Sequence, residues 1–307
     1  MLIDVSLPGS YTFRAIFLIF TPSPSTFMLQ ISELYIYPIK SLGGIAVTKA
    51  EVTSRGFKYD RRWMLVDEQN RFITQREHTQ MALIKVQIED DGLLVSHHLN
   101  GSVKIPFRYQ EQTEHNVVIW DDTCTGVYVG DEFDEWFSRV LGSKCRLVFM
   151  PDDTEREVDQ RYASPGMITS FADAYPFLLI GQASLNELNA RLQDALPMNR
   201  FRPNIVFTGG QPFEEDLMNH LNIAGISFYG AKLCARCIMT TIDQQTGIKA
   251  KEPLKTLAKY RLKNNKILFG QNLIHKSTGT VAVGDAIAVL STHDDERFIV
   301  ENKSLIK

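Results

Sequence analysis

The stretch Leu233-Cys234-Ala235-Arg236-Cys237-Ile238-Met239-Thr240-Thr241-Ile242-Asp243 gathers two of the chain's four cysteines, a guanidinium and two hydroxyls within 11 residues. A thiolate is the form of cysteine that binds a soft metal, and Arg236 beside Cys237 favours that form. A structural zinc site would need two more ligands in a pair. Cys124, Cys145 and the seven scattered histidines supply no second Cys-x-x-Cys and no His-x(3-5)-His. Two buried, inert thiols on adjacent strands are what the spacing alone favours. The third chemistry is one thiolate as ligand to a metal or a metal-bearing cofactor, with the other cysteine in support. A thioredoxin-type dithiol would stabilise its thiolate at a helix N-terminus, and no helix signal follows Cys237.

The elements around this stretch read as strands. Ile223 to Gly230 forms a short strand ending in a turn glycine, and Ile238, Thr240 and Ile242 alternate with Met239, Thr241 and Asp243, so Cys237 is expected to open another strand. Phe201 to Phe207 reads as a strand with Pro203 at its start or on an edge. Arg202 and Asn204 are two residues apart and share a face, which with Cys237 would be polar and cationic. Phe177 to Ile180 is a buried strand. Ser184-Leu185-Asn186-Glu187 reads as a capping box that opens a helix with Leu185, Leu188, Leu192 and Leu196 as its buried stripe. Ser184 and its neighbouring amides are also suited to hold a phosphate.

Upstream, Leu29 to Pro38 alternates as a strand and leads into the tight loop Ile39-Lys40-Ser41-Leu42-Gly43-Gly44. Further short strands are expected at Ala46–Thr53, Trp63–Asp67, Arg71–Thr74, Ala82–Glu89, Leu93–Ser96, Val103–Pro106 and Asn116–Trp120, as a meander. Asp131 to Leu141 changes to helical period, with Phe133, Trp136, Phe137, Val140 and Leu141 on one face, Asp131 as cap and Gly142 as stop. Polar residues 152–165 join two halves. Taken singly, Lys40, Arg61 and Arg62 read as solvated loop charges, and Gln271 and Asn272 add amides late in the chain.

The 307 residues suffice for two modest domains, with 44% hydrophobic and 22% charged content typical of a globular chain. The class expected is α+β, mainly β. A net charge of -3 argues against bulk binding of a nucleic-acid polymer. Four cysteines make no disulfide framework, which points to a reducing, cytoplasmic setting. No run approaches the roughly 18 to 20 apolar residues of a membrane span. Residues 1–27 stand apart, with a short apolar run and the linker-like Pro22-Ser23-Pro24-Ser25. The expected natural start is Met28, and residues 1–27 are read as an extension or poorly ordered tail.

Several segments together resemble one family: Tyr37-Pro38-Ile39-Lys40-Ser41, Tyr59-Asp60-Arg61, Phe171-Ala172-Asp173-Ala174-Tyr175-Pro176, Phe201-Arg202-Pro203-Asn204, Cys234-Ala235-Arg236-Cys237, Glu252-Pro253-Leu254-Lys255-Thr256-Leu257 and Phe269-Gly270-Gln271-Asn272. In this order they resemble the MOSC proteins, the family of the molybdenum cofactor sulfurase C-terminal domain. The subgroup is similar to the bacterial YcbX type and the mitochondrial amidoxime-reducing component. The resemblance implies an N-terminal β-rich domain over residues 28–150 packed on a MOSC β-barrel over 151–292, with residues 293–307 as a tail. It implies a molybdenum cofactor (molybdopterin) at the junction, its metal held by the catalytic Cys237. Lys40, Ser41, Arg61, Ser184, Arg202, Asn204 and Arg236 would hold the pterin and phosphate, a task that suits guanidinium donors.

The implied activity is reduction of hydroxylamines, amidoximes and N-hydroxylated bases by removal of the N–OH oxygen at molybdenum, a detoxification chemistry. Non-catalytic carriage of the cofactor or of sulfur is the alternative. Asp173 and Asp243 are the candidate proton donors. The bacterial type often continues into a ferredoxin domain with a Cys-x4-Cys-x2-Cys cluster. No iron-sulfur cluster is expected in this chain, so electrons would come from a separate ferredoxin, flavoprotein or cytochrome-like donor. The family name also carries a pyridoxal phosphate association, which belongs to the aminotransferase-like part of the sulfurase; nothing here marks a lysine for it.

Overall fold

The apolar and polar alternation of Gln30–Ile36 places Ile31, Leu34 and Ile36 in the core, the behaviour of a strand with one face buried. In the computed structural model, which describes residues 28–108 and 113–293, this strand lies antiparallel between Ile45–Val47 and Ile205–Thr208. The expectations for residues 1–27 and for the tail from 294 lie outside the described residues. The strand thereby joins a nine-stranded sheet that runs from one edge through Ile287–Thr292, Met218–Ile223, Ile226–Ala235, Lys266–His275, Phe177–Gly181, Ile205–Thr208 and Gln30–Ile36 to Ile45–Val47, with the short Leu262–Lys263 pairing with Lys266–His275 off this path. Phe177–Gly181 and Ile205–Thr208 are its parallel pair. Both are almost wholly apolar and buried, as strands covered on both faces must be.

Gly279–Ala282 pairs with Lys49–Thr53. Hydrogen-bonded sheets therefore join residues on both sides of the 152–165 loop. The rest of the first half forms a four-stranded sheet that includes Trp63–Val66 and Arg146–Phe149, and a three-stranded meander of Lys85–Ile88, Gly92–His97 and Gly101–Pro106. The helix Asp131–Leu141 buries Phe133, Trp136, Phe137 and Leu141 against a core containing Trp63, Leu65 and Leu93. Gly142 ends the helix at φ 67, a conformation free of Cβ strain only for glycine. Asp131 is the first helical residue and not the cap, which is Gly130; its charge lies in the first turn instead. The chain is mainly β with few helices. Among the described residues no helix is long and apolar enough to cross a membrane.

Several local expectations are corrected. Arg71–Thr74 makes only isolated bridges, and Ala82–Glu89 divides into a 3-10 turn at Thr79–Leu83 and the strand Lys85–Ile88. Ala46–Thr53 splits at Thr48. The strand expected to end at Gly230 runs on through Ile226–Ala235, and the turn is at Ala224 and Gly225, both at positive φ. Gly230 is required by close approach: a Cβ there would lie 2.0 Å from Gln271 Nε2 and 2.1 Å from the Met218 carbonyl oxygen.

Candidate functional site

The loop after the first strand is held by its backbone, with the Lys40 N–H donating to the Trp63 carbonyl at 2.8 Å and the Gly43 N–H to that of Ile84 at 3.2 Å. Gly44 lies against the Tyr37 ring, where an added Cβ would come within 2.4 Å. Ser41, Arg61 and Arg202 adopt φ 67, 50 and 55. Three non-glycine residues in the left-handed region at one place are a local strain that the surrounding fold must stabilise. The reward is convergence. Lys40, Ser41, Arg61, Arg202 and Asn204 line one cleft together with Asp173 and Met239.

Within that cleft Lys40 Nζ donates to Asp173 Oδ1 at 2.6 Å and to the Phe171 carbonyl at 2.7 Å. Arg61 donates to Asp60 Oδ2 at 2.6 Å and to Asn204 Oδ1 at 3.0 Å. The guanidinium carbons of Arg61 and Arg202 each lie 4.3 Å from the Tyr37 ring centroid, a cation–π arrangement for both. Arg156, itself buried, ties down the Asp173 segment by donating to the carbonyls of Ser170, Ala172 and Asp173. Arg202 differs from the other two cleft cations. Its guanidinium donates to the Leu42 carbonyl at 2.8 Å, and among the described residues it forms no salt bridge. The cleft encloses about 80 Å³, space for a few waters at roughly 10–15 Å³ each, and so for a small anion.

Burial pushes the Arg202 guanidinium down to about 10 and Lys40 down to about 8, the latter in spite of Asp173. Asp173 is held well below the usual carboxylate range: burial alone would raise it, but the charge and hydrogen bond of Lys40 outweigh that. Lys40 therefore loses its charge as pH rises through about 8. The affinity of the cofactor-free protein for inorganic phosphate is expected to fall across that range, and Lys40→Met is expected to remove the step. Calorimetric titrations on both sides of the transition check this.

Cys237 does not open a strand. It precedes a 3-10 turn, Ile238–Thr241, in which the Thr240 N–H donates to the Cys237 carbonyl at 3.2 Å. The two threonine hydroxyls return to the backbone as well, Thr240 to Cys237 and Thr241 to Ile238. Such back-bonding competes with ladder pairing and turns the β-branched alternation into a turn. Buried Arg200 grips the turn through the Thr240 carbonyl at 3.0 Å and Asp243 at 3.4 Å. Arg236 donates to Cys234 Sγ at 2.9 Å and to the Phe201 carbonyl at 2.5 Å, so its charge serves Cys234 and not Cys237 as expected. Cys237 is exposed and Cys234 partly so. Burial pushes the thiols of Cys124 and Cys145 up to about 11 and keeps them unreactive. Met239 belongs to both the turn and the cleft lining, and it links the thiol to the cations.

Ser184 is outside this arrangement. It lies inside the helix Gln182–Asn189, whose cap position is Gly181, and it does not line the cleft. Its hydroxyl donates to Glu215 Oε2 at 2.7 Å and accepts the Phe213 N–H at 2.7 Å, so the expected capping role is corrected and the hydroxyl is engaged away from the cleft. The helix ends before Leu192 and Leu196. Burial, reinforced by Asp216, pushes Glu215 up to about 7 from 4.5. The folded state then holds that proton more tightly than the unfolded one, so this contribution is complete below about pH 4.5 and is lost as pH rises through about 7. Glu215→Gln is expected to flatten that slope in melting temperatures measured between these limits.

Both expected proton donors are held below the usual carboxylate range. Asp243 is held low, against the effect of its burial, by the N–H groups of Gln245 and Thr246, and it shapes the turn. Two site residues escaped the residue-level reading: Tyr37, hidden as an ordinary strand aromatic, and Trp120, whose indole donates to Asp173 at 3.2 Å from a hairpin position at φ 57. An aromatic within the turn sequence Trp120-Asp121-Asp122 was the available signal. Among the described residues no three His, Cys, Asp or Glu side chains gather to hold a metal ion. A metal at Cys237 would take its remaining donors from a cofactor.

Residues 28–144 match the MOSC N-terminal beta barrel domain and residues 167–288 match the MOSC domain. The Mus musculus protein named mitochondrial amidoxime-reducing component 1 is 32% identical over 284 residues, covering 85% of this chain and 82% of its own. The Bos taurus mitochondrial amidoxime reducing component 2 is 34% identical over 275 residues, covering 84% and 82%. An Arabidopsis thaliana molybdenum cofactor sulfurase is 31% identical over 270 residues, covering 80% of this chain and 33% of its own length.

Proposed function

The chain belongs to the MOSC family, and from that premise we propose that it is a molybdenum-cofactor-dependent reductase of small N-hydroxylated compounds. The observation that carries the proposal is the cleft's surplus cation. Lys40 and Arg61 have Asp173 and Asp60, while Arg202 is buried among them and, among the described residues, forms no salt bridge. A buried unpaired guanidinium is costly to keep unless an anion arrives to neutralise it. A phosphate in the cleft meets that need, and the exposed Cys237 thiol beyond Met239 is a soft donor for the metal. The residues present therefore fit a phosphorylated, metal-bearing cofactor.

In this reading Lys40, Arg61 and Arg202 bind the phosphate and pterin, while Ser41 and Asn204 supply further polar contacts and Arg202 is pre-placed by Tyr37. Arg236 and Arg200 fix the strand end and the turn that present Cys237. When bound, the cofactor supplies the two-electron chemistry. The overall conversion is R–NHOH + 2 e⁻ + 2 H⁺ → R–NH₂ + H₂O. Asp173 and Asp243 are both held low, which makes them weak sources for the two protons. The Arg236–Cys234 contact supports the second reading, a carrier that bears sulfur on a thiol held beside a cation.

The test is to purify the chain from a molybdenum-replete host, measure molybdenum and pterin per chain, and assay benzamidoxime reduction with a chemical electron donor. Cofactor with turnover is the expected result. Cofactor without turnover moves the assignment to the carrier, and absence of both, in a host that loads a related protein, removes the cofactor reading.

A further inference from the structure

The cofactor cleft leaves Arg62 unused, although it is the next residue after Arg61. Arg62 lines a separate cavity of about 370 Å³, within the range of roughly 300–1,000 Å³ common to small-molecule sites. No described residue lines both spaces. One short segment nevertheless serves the two: Tyr59 and Arg62 line the cavity, while Arg61, fixed to Asp60, lines the cleft. Tyr59 and Arg61 adopt φ 69 and 50, and these two left-handed residues divide the segment between its tasks.

The apolar lining of the cavity is largely aromatic. The Tyr59 and Phe107 rings stack with centroids 4.6 Å apart and 6° between planes, and Trp63 lies 6.0 Å from Phe107 and 5.0 Å from Phe149. Trp63 is buried, whereas Tyr59, Phe107 and Phe149 are partly exposed, so the aromatic edge of the core is open here. Such rings receive a flat ligand by offset stacking or edge contact. The polar lining has three cations, Arg55, Lys58 and Arg62, against two carboxylates, Glu51 and Asp152, a net +1. Glu51 is taken by Lys58 at 3.0 Å. Buried Arg55 donates to the Asp152 and Thr154 carbonyls and, among the described residues, forms no salt bridge. Arg62 lies 4.8 Å from the Phe149 ring centroid, which holds its guanidinium in place. Its Nη2 donates to the Met150 carbonyl and to Asp152 at 2.7 Å, but its Nε is buried and, among the described residues, has no hydrogen-bond partner. The Asp152 side chain is 92% exposed, so water screens this pair and another carboxylate exchanges with it at little cost.

We propose that this cavity is a second ligand site, for a small planar aromatic carboxylate whose ring lies against Tyr59, Phe107 and Trp63 and whose carboxylate is bound by Arg62. Both halves of the ligand are required. A cation would meet the surplus positive charge, and an aliphatic acid would forgo the aromatic contacts. The site is independent of the reductase reading, because no residue of the cleft or of the thiol turn lines it.

The experiment titrates the full chain with 2-naphthoate by calorimetry, with and without inorganic phosphate, alongside 2-naphthylmethylammonium and cyclohexanecarboxylate. Expected is binding of 2-naphthoate at least about tenfold tighter than of either control, and equal in both buffers. Arg62→Met should weaken it by about tenfold or more. Asp152→Asn, at an exposed position that leaves folding intact, should tighten it by about threefold, because Arg62 is released from its screened pair. Arg202→Met should leave it unchanged. Absence of 2-naphthoate binding, equal binding of either control, displacement by phosphate, or sensitivity to Arg202→Met overturns the proposal. So does indifference to Arg62→Met or, where that variant fails to fold, to Asp152→Asn. The binding is read without cofactor or turnover, so failure of the reductase reading leaves this site standing, and failure of this site leaves that reading untouched.

Discussion

Cys237→Ser is expected to fold and melt as the parent protein does, yet to retain no more than about a hundredth of its N-reductive turnover. The stability half follows from exposure: a substitution at a solvent-facing position outside the core changes stability by about 0.5 kcal/mol or less. The activity half follows from ligand softness, since a hydroxyl does not replace a thiolate at a soft metal centre. Cys234→Ser is the control with opposite weighting. Its oxygen still accepts from Arg236, so turnover should fall by less than about fivefold. Molybdenum content, melting temperature and turnover measured on both variants decide the matter; a greater loss at Cys234 would transfer the metal to the other thiol.

Arg202→Met is expected to separate binding from folding. Removing the guanidinium forfeits the Leu42 carbonyl bond and the stack on Tyr37, a loss of roughly 1–3 kcal/mol. It also removes the desolvation cost of a buried charge without a salt-bridge partner, which is of similar size. The two nearly cancel, so the cofactor-free protein should change stability by about 1 kcal/mol or less. Phosphate affinity, by contrast, loses a charge-assisted donor and should fall by about 100-fold, with retained molybdenum falling in parallel. Denaturant melts and calorimetry on the same preparation test both halves. Unchanged phosphate affinity would sink the anion assignment of the cleft.

The two predictions rest on features that were legible to different degrees. Period-two runs such as Gln30–Ile36 and the aromatic stripe of Asp131–Leu141 declared themselves because local burial dictates them. The five cleft residues did not. Lys40 and Arg61 look like loop charges until Phe171, Asp173 and Asn204 arrive from more than 100 positions away. Spacing paired only Arg202 with Asn204, and the joint resemblance of several motifs was needed to bring all five together beforehand. The left-handed backbone of Ser41, Arg61 and Arg202 was invisible because none is a glycine. Cys237 was misread because Ile-x-Thr alternation is common to a strand and to a turn closed by threonine back-bonds. Ser184 was misread because a Ser-x-x-Glu spacing also occurs inside a helix, where burial beside Glu215 gave that hydroxyl another task.

The antiparallel seat of Gln30–Ile36 beside Ile205–Thr208 also sets an order of events during synthesis. Lys40 and Ser41 leave the ribosome early, but the wall opposite them is made by Arg202, Asn204 and Met239. Until those residues have emerged, the early strand has only Ile45–Val47 beside it and the early cations have no finished cleft to line. On the proposed reading, loading would be an event of the folded protein, because a nascent fragment ending before Arg202 lacks the opposite wall of the cleft.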